Sequence, residues 1–401
     1  MRTRSRAAVT SDRNGVHVTS RHASWSNTTM HIVRVSYRVP PMPGGMERHV
    51  EYLTRHQVSD GNRVTMSFRQ GATVPVGATR LPLRRVPRSR MLGPVSDRLA
   101  FAAEAAAAIK DLCAARRNVD LVHLHGDHIE AAGLGPVCRR LGIPLFLTVH
   151  AALTDRHQWL ARHAFRHVKA FIALGSATAA DLVARGVVRE RILTMSSGLE
   201  LSAMPSPVDA VARERGLIVS VGALNPMKNH HLLIEAFHEL ARSRPGARLV
   251  IAGEGPERDR LNQLAAAGPG VELAGPLDRQ EVYDLVRRAD VFVLASRRLS
   301  GKGEGVPTAA LEALALGTPV VVSSDAALDP VVTVREAYRV FPSGSKADLV
   351  HVLRNVLDDE PGRNRMSELG VRAAEELDWS RVAQRVENWY RAAPEQRRSF
   401  A

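Results

Sequence analysis

Aromatic residues are scarce in this 401-residue chain, at 4% of its composition, so its core must be built mainly from Leu, Val, Ile and Ala. No window of about 18 or more consecutive apolar residues occurs, which excludes a membrane-spanning helix of ordinary length. Hydrophobic residues make up 45% and charged residues 24%, as is typical of a globular protein. This length predicts two domains of roughly 150–200 residues each.

Cysteine is also rare. Cys113 and Cys138 fall in stretches with a helical pattern, and two cysteines do not make a disulfide framework. We therefore expect a reduced compartment and a cytoplasmic location, with or without contact at the inner face of the membrane. Residues 1–29 hold five arginines but lack the apolar centre of about 7–15 residues that a signal peptide needs. They are predicted to form a disordered basic extension, unless translation starts at Met30.

Several motifs of catalysis and phosphate binding are missing. The sequence contains no Asp-x-Asp pair, Walker loop, Gly-x-Ser-x-Gly elbow or Cys/His cluster with metal-binding spacing. Ligand phosphates would therefore have to be neutralised by Lys and by helix dipoles. We predict neither a metal ion nor another cofactor.

Positive charge is concentrated in the first half of the chain. Residues 1–200 carry 29 basic and 14 acidic side chains, whereas the remainder carries 26 basic and 27 acidic ones. This asymmetry favours an anionic partner for the first half, such as a phosphorylated substrate or a phospholipid surface. A basic but otherwise unremarkable soluble surface explains it equally well.

From Met30 onward, short apolar runs alternate with helical patterns, which predicts parallel sheets covered by helices on both faces. The predicted strands are 30–36, 63–68, 120–125, 144–149, 169–173, 216–221, 247–252, 290–295 and 318–323. The predicted helices include 97–117, 128–141, 228–242, 256–266, 279–288, 307–316 and 379–393. A segment rich in Gly, Ser and Pro at 197–210 is interpreted as an interdomain linker. Two doubly wound α/β domains would place a ligand cleft at the carboxyl ends of their sheets.

Two glycines, Gly44 and Gly45, follow the first strand and open a helix. Glycine allows close approach of a ligand to the backbone, and a helix N-terminus offers free N–H groups and a positive dipole end to a phosphate. From two glycines alone, simple loop closure is the better explanation.

Two further turns follow strands of the second half. Lys228 comes shortly after Gly222, at the predicted start of a helix, where a cation is unfavourable unless an anion lies nearby. A solvated surface Lys is the simpler alternative. Gly253 and Glu254 begin a Gly-Glu-Gly-Pro turn suited to a nucleotide base or ribose, although turn geometry explains it equally well.

The segment from Glu304 to Glu312 reads EGVPTAALE. Glu304 would lie in a loop near a helix N-terminus, and Glu312 would share a helix face with Thr308, four residues earlier. Because the helix is otherwise apolar, a buried Glu312 needs a partner, and a ribose would supply one. Capping by Glu304 and a surface position for Glu312 are the alternative.

Histidines end two of the predicted parallel strands. His125 and His150 should both project into the cleft, because the carboxyl ends of parallel strands share one edge of a sheet. Asp127 and His128 lie just beyond the first of them. The chain has 16 His, so a single one carries little weight, whereas two at parallel strand ends carry more.

In this order, the segments resemble the retaining glycosyltransferases of family 4, whose GT-B fold has two Rossmann-like doubly wound domains facing each other across a cleft. The similarity runs from Met30 to about Arg391. Its most specific part is EGVPTAALEALALGTPVV at 304–321, which is similar to the family's Glu-x7-Glu segment. Also similar are GGMERHVEYL (44–53), VGALNPMKNHHLLIEAF (221–237), IAGEGPERDRL (251–261) and the closing helix DWSRVAQRVENWYR (378–391).

The resemblance implies an acceptor-side domain at 30–200, a nucleotide-sugar-binding domain at 201–376 and a closing segment at 377–401 that crosses back to the first domain. It implies transfer of a hexose-type sugar, with retained anomeric configuration and without a metal, from a nucleotide-diphosphate donor to an acceptor hydroxyl. A UDP-sugar is favoured over a GDP-sugar on family frequency. The leaving diphosphate itself would take the acceptor proton.

The resemblance also assigns roles to residues. Gly45 would lie near the donor phosphates, which Lys228 would neutralise. Glu304 would hold hydroxyls of the transferred sugar, Glu312 would hold the ribose, and His150 would contact the sugar or assist at the reacting centre. The predicted donor-binding set is completed by Gly44, Gly222, Gly253, Glu254, Gly305, Val306, Pro307 and Thr308, and the acceptor-side candidates are His125, Asp127 and His128.

One position departs from the family pattern. The residue after Gly222 is usually Arg and here is Ala223, and the Glu that commonly precedes the Lys is Met227. Loss of one guanidinium from the phosphate clamp would cost about 2–4 kcal/mol if nothing compensated for it. The candidates for its replacement are Arg48, Arg297, Arg298 and Lys302.

The acceptor stays open at this point. It is either a glycan or lipid-linked sugar, with contact to an anionic membrane, or a small soluble molecule such as a natural product; nucleic acid is not expected. The Arg- and Pro-rich stretch 70–96 is the predicted acceptor-side loop. Two other functions are a degenerate protein that binds a sugar nucleotide without turnover, which Ala223 favours, and a sugar-nucleotide epimerase.

Overall fold

A computed structural model describes residues 29–42, 44–115, 117–151, 153, 158–206, 212–299 and 306–393. The predicted extension at 1–29 lies outside these ranges except for its last residue, so its disorder stays a prediction.

The first lobe is a sheet of seven parallel strands in the order β3-β2-β1-β4-β5-β6-β7. Its strands are β1 (His31–Arg38), β2 (Arg63–Gln70), β3 (Thr79–Arg80), β4 (Leu121–His125), β5 (Leu145–Val149), β6 (Ala170–Leu174) and β7 (Ile192–Met195). Its helices are α1 (Gly45–Ser59), α2 (Pro87–Leu92), α3 (Asp97–Ala114), α4 (His128–Leu141), α5 (Trp159–Phe165) and α6 (Ser176–Ala184).

The second lobe is a sheet of six parallel strands in the order β10-β9-β8-β11-β12-β13. Its strands are β8 (Glu214–Val221), β9 (Arg248–Ala252), β10 (Val271–Gly275), β11 (Ala289–Leu294), β12 (Val320–Ser323) and β13 (Tyr338–Phe341). The helices after β8 are α7 (His230–Ala241), α8 (Arg258–Ala265), α9 (Arg279–Arg288), α10 (Thr308–Ala315), α11 (Lys346–Asp358), α12 (Glu360–Glu375) and α13 (Trp379–Ala392).

Each sheet is buried on both faces, as its continuous apolar strands require. In β11, Phe292 and Leu294 pack into one core and Val291 and Val293 into the other. The first sheet likewise separates two cores, one beneath α3 and α4 and one beneath α1 and α13. The predicted fold class of two doubly wound α/β lobes is therefore confirmed.

The four strands that the apolar pattern did not predict are the edge strands β3, β7, β10 and β13. In β13, for example, Arg339 and Val340 are exposed between buried ends. An edge strand has less apolar surface to bury, so its sequence lacks the continuous hydrophobic run of a central strand.

Side-chain caps fix the start of two helices at the carboxyl edges of the sheets. Asp127 accepts a backbone N–H at the start of α4, and Glu130 accepts the backbone N–H of Asp127 at 3.2 Å. Asp278 and Glu281 form the same reciprocal capping box at α9. The capping box of α9 determines the orientation of its first residue, Arg279.

One predicted helix boundary is wrong in a way that matters for the site. The helix predicted at 228–242 begins at His230, because Asn229 has φ +57° in the left-handed region. Lys228 therefore lies in the turn before α7 and not at the helix N-terminus.

The last helix, α13, leaves the second lobe and packs on the first. Trp379 at its start is 2% exposed and lies against Gly198, where a Cβ would come within 2.5 Å of the indole Cδ2 atom. Near its end, the Tyr390 hydroxyl lies 2.6 Å from Nδ1 of the buried His123. Asn62 donates to Glu387 at 2.7 Å.

None of the described helices combines the length and the apolar character needed to span a bilayer.

We expect the replacement Trp379→Ala to lower the free energy of unfolding by about 3–5 kcal/mol, because it leaves a cavity between α13 and the first lobe. Trp159→Ala is the matched control, since this indole is 77% exposed and its loss should change stability by less than about 0.5 kcal/mol. Urea unfolding of both variants checks the expectation. Equal losses would mean that Trp379 does not anchor the helix.

Acid should destabilise the fold through His123. Burial, with the charge of Arg34 as the second cause, lowers the pKa of His123 well below its ordinary 6.5. The unfolded chain then binds a proton below pH 6.5 that the folded chain does not, so stability falls as pH decreases, by at most about 1.4 kcal/mol per pH unit for this group.

The measurement is the free energy of unfolding at pH 7.5, 6.5 and 5.5 for the wild type and His123→Gln. The variant should lose stability less steeply with acid than the wild type, whatever its absolute stability. Parallel slopes would contradict the assignment.

Candidate functional site

The N-terminus of α1 forms one wall of the space between the lobes. Gly45 is exposed, and a Cβ on it would meet no atom of the described residues within 4 Å. Behind this helix end, Glu47 is 3% exposed and forms an ion pair with Arg38 at 3.6 Å. The Glu47 carboxylate fills the space that a side chain on Gly44 would occupy. Gly45 thus offers open backbone at a helix N-terminus, and Gly44 serves the packing behind it.

Glu312 on α10 forms the facing wall. Its Oε1 atom lies 3.5 Å from a guanidinium nitrogen of Arg279, which also donates from Nε to the Tyr283 hydroxyl at 2.6 Å. Burial raises the pKa of Glu312, while Arg279 and then Arg48 act in the opposite direction. The sequence predicted that a buried Glu312 would need a partner; the structure places this side chain partly buried, with Arg279 as its partner.

The two walls meet around a small shared cavity of about 50 Å³. It is lined by residues of both lobes, of the connection between them and of α13, among them Gly45, Arg48, Tyr52, Thr308, Glu312 and Trp379. The predicted residues Gly45, Thr308 and Glu312 are therefore brought together.

His125 and His150 also meet, as expected from neighbouring strand ends. His125 Nδ1 lies 3.1 Å from His150 Nε2. A third ring joins them from α1, since the His49 centroid lies 4.9 Å from that of His150 and 5.6 Å from that of His125. His49 in turn contacts Ser197, with 2.9 Å between Nδ1 and Oγ, and its ring centroid lies 5.1 Å from that of Trp379.

Burial lowers the pKa of all three imidazoles, which favours their neutral forms at physiological pH. Burial lowers the pKa of His150 to about 3 and that of His125 well below its usual range. Burial also lowers the pKa of His49, and the neighbouring ring of His150 adds to the effect. His125 is fully buried, His150 is partly exposed, and His49 is the member of the cluster that lines the shared cavity.

Lys228 lies over the end of β8. Its side chain packs on Gly222, where a Cβ would come within 3.2 Å of Lys228 Cε. The loop before it touches the segment that follows β11, because Arg297 donates its backbone N–H to Met227 at 2.7 Å and its Nε to Pro226 at 3.0 Å. Of the candidate replacements for the missing Arg, Arg297 lies beside the Lys228 loop and Arg48 beside Glu312, while Lys302 is outside the described residues.

The turn at Gly253 has a structural explanation. A Cβ there would lie 2.0 Å from the Gly222 carbonyl oxygen, and φ is +146°. Glu254 is exposed and pairs with Arg258 one turn later in the chain. These contacts explain both residues without a ligand, and their donor role stays a prediction.

Asp127 and His128 are likewise built into the first lobe. Asp127 caps α4 and accepts from Arg98 at 2.8 Å, while His128 is fully buried. Their predicted acceptor contact stays a prediction.

Two predicted residues, Glu304 and Gly305, lie outside the described residues. Beyond them, Val306 is partly buried, Pro307 is buried, and Thr308 is exposed as the first residue of α10.

Sequence reasoning missed His49 and Arg279. His49 lies four residues after Gly45, one helical turn into the cleft-facing end of α1. Arg279 begins a predicted helix, where a cation is unfavourable unless an anion lies close. The same argument was applied to Lys228. Applied to Arg279, it predicts a nearby anion, which is Glu312.

Comparison with known proteins agrees with this architecture. Residues 43–203 match the family described as Glycosyltransferase Family 4, and residues 208–372 match Glycosyl transferases group 1. Glycogen synthase of Mycobacterium tuberculosis is 27% identical over 91% of this chain and 95% of its own length. The GDP-mannose-dependent alpha-(1-6)-phosphatidylinositol dimannoside mannosyltransferase of the same species is 28% identical, over 88% and 94% of the two chains.

Among solved structures, Anabaena HepE in complex with UDP shares the fold, with a TM-score of 0.69 at 17% identity over 90% of this chain and 99% of that one. Both halves of the sequence thus match glycosyltransferase families, and the fold of HepE extends over 90% of this chain. The chain is a glycosyltransferase of the GT-B fold, with an N-terminal family 4 domain and a C-terminal group 1 domain.

Proposed function

We propose that the protein transfers a hexose-type sugar from a UDP-sugar to an acceptor hydroxyl, with retention of configuration and without a metal ion in the reaction. The observation that carries this proposal is the shared cavity, in which a partly buried carboxylate of the second lobe, Glu312, lies across from the helix N-terminus at Gly45. A carboxylate accepts hydrogen bonds from ribose hydroxyls, and backbone N–H groups bind phosphate, so the two walls suit the two ends of a nucleotide diphosphate.

Donor binding requires a rearrangement at Glu312. The shared cavity holds about 50 Å³, whereas sites for molecules of this size usually enclose about 300–1,000 Å³. Arg279 also occupies the carboxylate that the ribose would use. A bound donor would therefore displace Arg279 or separate the lobes.

Negative charge that develops on the leaving diphosphate would be stabilised by the amides of α1, by Lys228 and by Arg297. The bond from the anomeric carbon to the diphosphate breaks, the acceptor oxygen attacks on the same face, and its proton passes to the leaving phosphate. Glu304 would hold sugar hydroxyls, as the family resemblance implies. His150, neutral and partly exposed, would accept a hydrogen bond from the sugar. This is electrostatic catalysis by preorganised groups.

The choice of UDP rests on the family resemblance and on the structural neighbour that is bound to UDP. A GDP-sugar is the alternative, because one relative is named as GDP-mannose-dependent.

An acceptor with an apolar part is supported by a groove of about 600 Å³ on the first lobe. The groove runs between α2, α3, α4 and α5, with apolar walls and the basic side chains of Arg88 and Lys110 at its margin. Trp159 stands 77% exposed beside it. This combination suits a lipid-linked, anionic acceptor better than a small polar one.

A binding protein without turnover is the second candidate, and Ala223 favours it. The position of Arg297 beside the Lys228 loop weighs against it, because a guanidinium there can replace the one that Ala223 lacks.

Nucleotide release tests the function directly. Purified protein is offered UDP- and GDP-sugars together with extracted lipids and glycans, in the presence of EDTA. We expect acceptor-dependent release of UDP, a product with the donor's anomeric configuration and no loss of rate with EDTA. Binding of the donor without product in any mixture would favour the second candidate.

The role of Glu312 can be tested by Glu312→Gln. We expect the KM for the donor to rise about 10-fold or more, because a neutral amide replaces the carboxylate that accepts from the ribose. Glu368→Gln, an exposed change on α12, is the control and should leave KM and kcat unchanged. An unaltered donor KM in Glu312→Gln would remove the ribose assignment.

A further inference from the structure

The three imidazoles of His49, His125 and His150 have the spacing of ligands on one metal ion. Their coordinating nitrogens all lie within 4.8 Å of one another. The ring centroids are 4.9, 5.4 and 5.6 Å apart. Imidazoles bound at about 2.0–2.1 Å to a tetrahedral ion place their ring centres about 5.2 Å apart and their ligating nitrogens about 3.3 Å apart.

The closest pair already approaches that arrangement, with 3.1 Å between His125 Nδ1 and His150 Nε2. On the outer side of these rings, His125 Nε2 and His150 Nδ1 have no hydrogen-bond partner among the described residues. Each ring can therefore carry its proton on the outer nitrogen and direct a lone pair inward. Both inner lone pairs would then be free for a cation.

His49 is oriented by a second contact. Its Nδ1 lies 2.9 Å from Ser197 Oγ, which leaves Nε2 buried and without a partner among the described residues. A hydrogen bond at one imidazole nitrogen fixes the tautomer that presents the other to a metal. A buried imidazole nitrogen without a partner, as His49 Nε2 is among the described residues, is costly unless something binds it.

We propose that His49, His125 and His150 bind one divalent transition-metal ion, with Zn²⁺ as the reference ion, through one nitrogen each. Imidazole ligands suit Zn²⁺, Co²⁺ and Ni²⁺ and discriminate against Mg²⁺ and Ca²⁺, which take oxygen ligands. Three protein ligands leave a fourth coordination position open, and His49 borders the shared cavity. The nearby guanidinium of Arg34 opposes a cation, so affinity comes from coordination and not from net charge.

The ion would inhibit the transfer reaction. This consequence rests on the proposed function, in which His150 accepts a hydrogen bond from the sugar. That hydrogen bond would use the same nitrogen lone pair as the metal ion. Bound metal also fixes α1 against the ends of β4 and β5, and so opposes the rearrangement that admits the donor. Transfer itself needs no metal, and a chelator should restore it.

Metal binding is measured first, without reference to activity. Chelator-treated, tag-free protein is titrated with Co²⁺, whose visible absorption reports low-coordinate imidazole ligation, and then with Zn²⁺ in competition. We expect one equivalent of Co²⁺ with that spectrum, displaced by one equivalent of Zn²⁺ and unaffected by excess Mg²⁺.

Variants locate the site. His125→Gln and the partly exposed His150→Gln should each lower the affinity about 100-fold or more, and Ser197→Ala about 10-fold, because it frees the tautomer of His49. His163→Gln is the matched control. The ring centroids of His163 and His167 lie 5.2 Å apart on the surface of the same lobe, so these two residues form the rival two-histidine site. It should bind like the wild type.

The proposal is overturned if the wild type takes up no stoichiometric metal, or if both cluster variants bind as tightly as the wild type. Loss of binding in His163→Gln alone would assign the ion to the surface pair and also refute it. In the transfer assay, Zn²⁺ should inhibit the wild type and EDTA should reverse this. If no transfer is found with any donor, the metal titrations still decide the proposal.

Discussion

The contact of Trp379 with Gly198 and His49 is the constraint on which the rest of the site depends. It joins the start of the last helix to the connection between the lobes and to the first helix of the N-terminal domain. Because α13 leaves the second lobe and packs on the first, this contact helps to hold α1 near α10, together with the contacts of Tyr390 with His123 and of Glu387 with Asn62. The same indole covers His49, so the packing that holds the lobes together also encloses the imidazole cluster.

In the proposed mechanism, cations bind the phosphates while the buried histidines stay neutral. The buried guanidinium of Arg34 bonds to Thr54 and Gln57 beneath α1 and contributes to the lowered pKa of His49 and His125. A neutral imidazole can accept a hydrogen bond from a sugar hydroxyl without attracting the diphosphate. The positive charge is left to Lys228 and the arginines on loops, next to the phosphate position that the proposed mechanism requires.

Local sequence pattern was sufficient to predict the central strands and one pair of site residues. Continuous apolar runs identified the central strands of both sheets, and the shared edge of parallel strands placed His125 beside His150. The pattern was insufficient to predict site residues whose positions depend on tertiary packing. His49 lies on α1, and its position in the cluster depends on the packing of α13 on α1. The partner of Glu312 depends on the capping box that fixes the first residue of α9. For the same reason Asp127, which has the right position for an acceptor contact, is largely explained as a helix cap.

The substitution at Ala223 is understandable from the topology of the second sheet. Strands β8 and β11 are neighbours, so the loops that leave their carboxyl ends touch, as the bond from Arg297 to Met227 shows. A guanidinium lost from the first loop can be supplied by the second without moving either strand. Phosphate binding depends on the distance from a positive charge to the oxygens and not on which loop carries it, so in the proposed mechanism Arg297 can replace the guanidinium missing at position 223 without loss of activity.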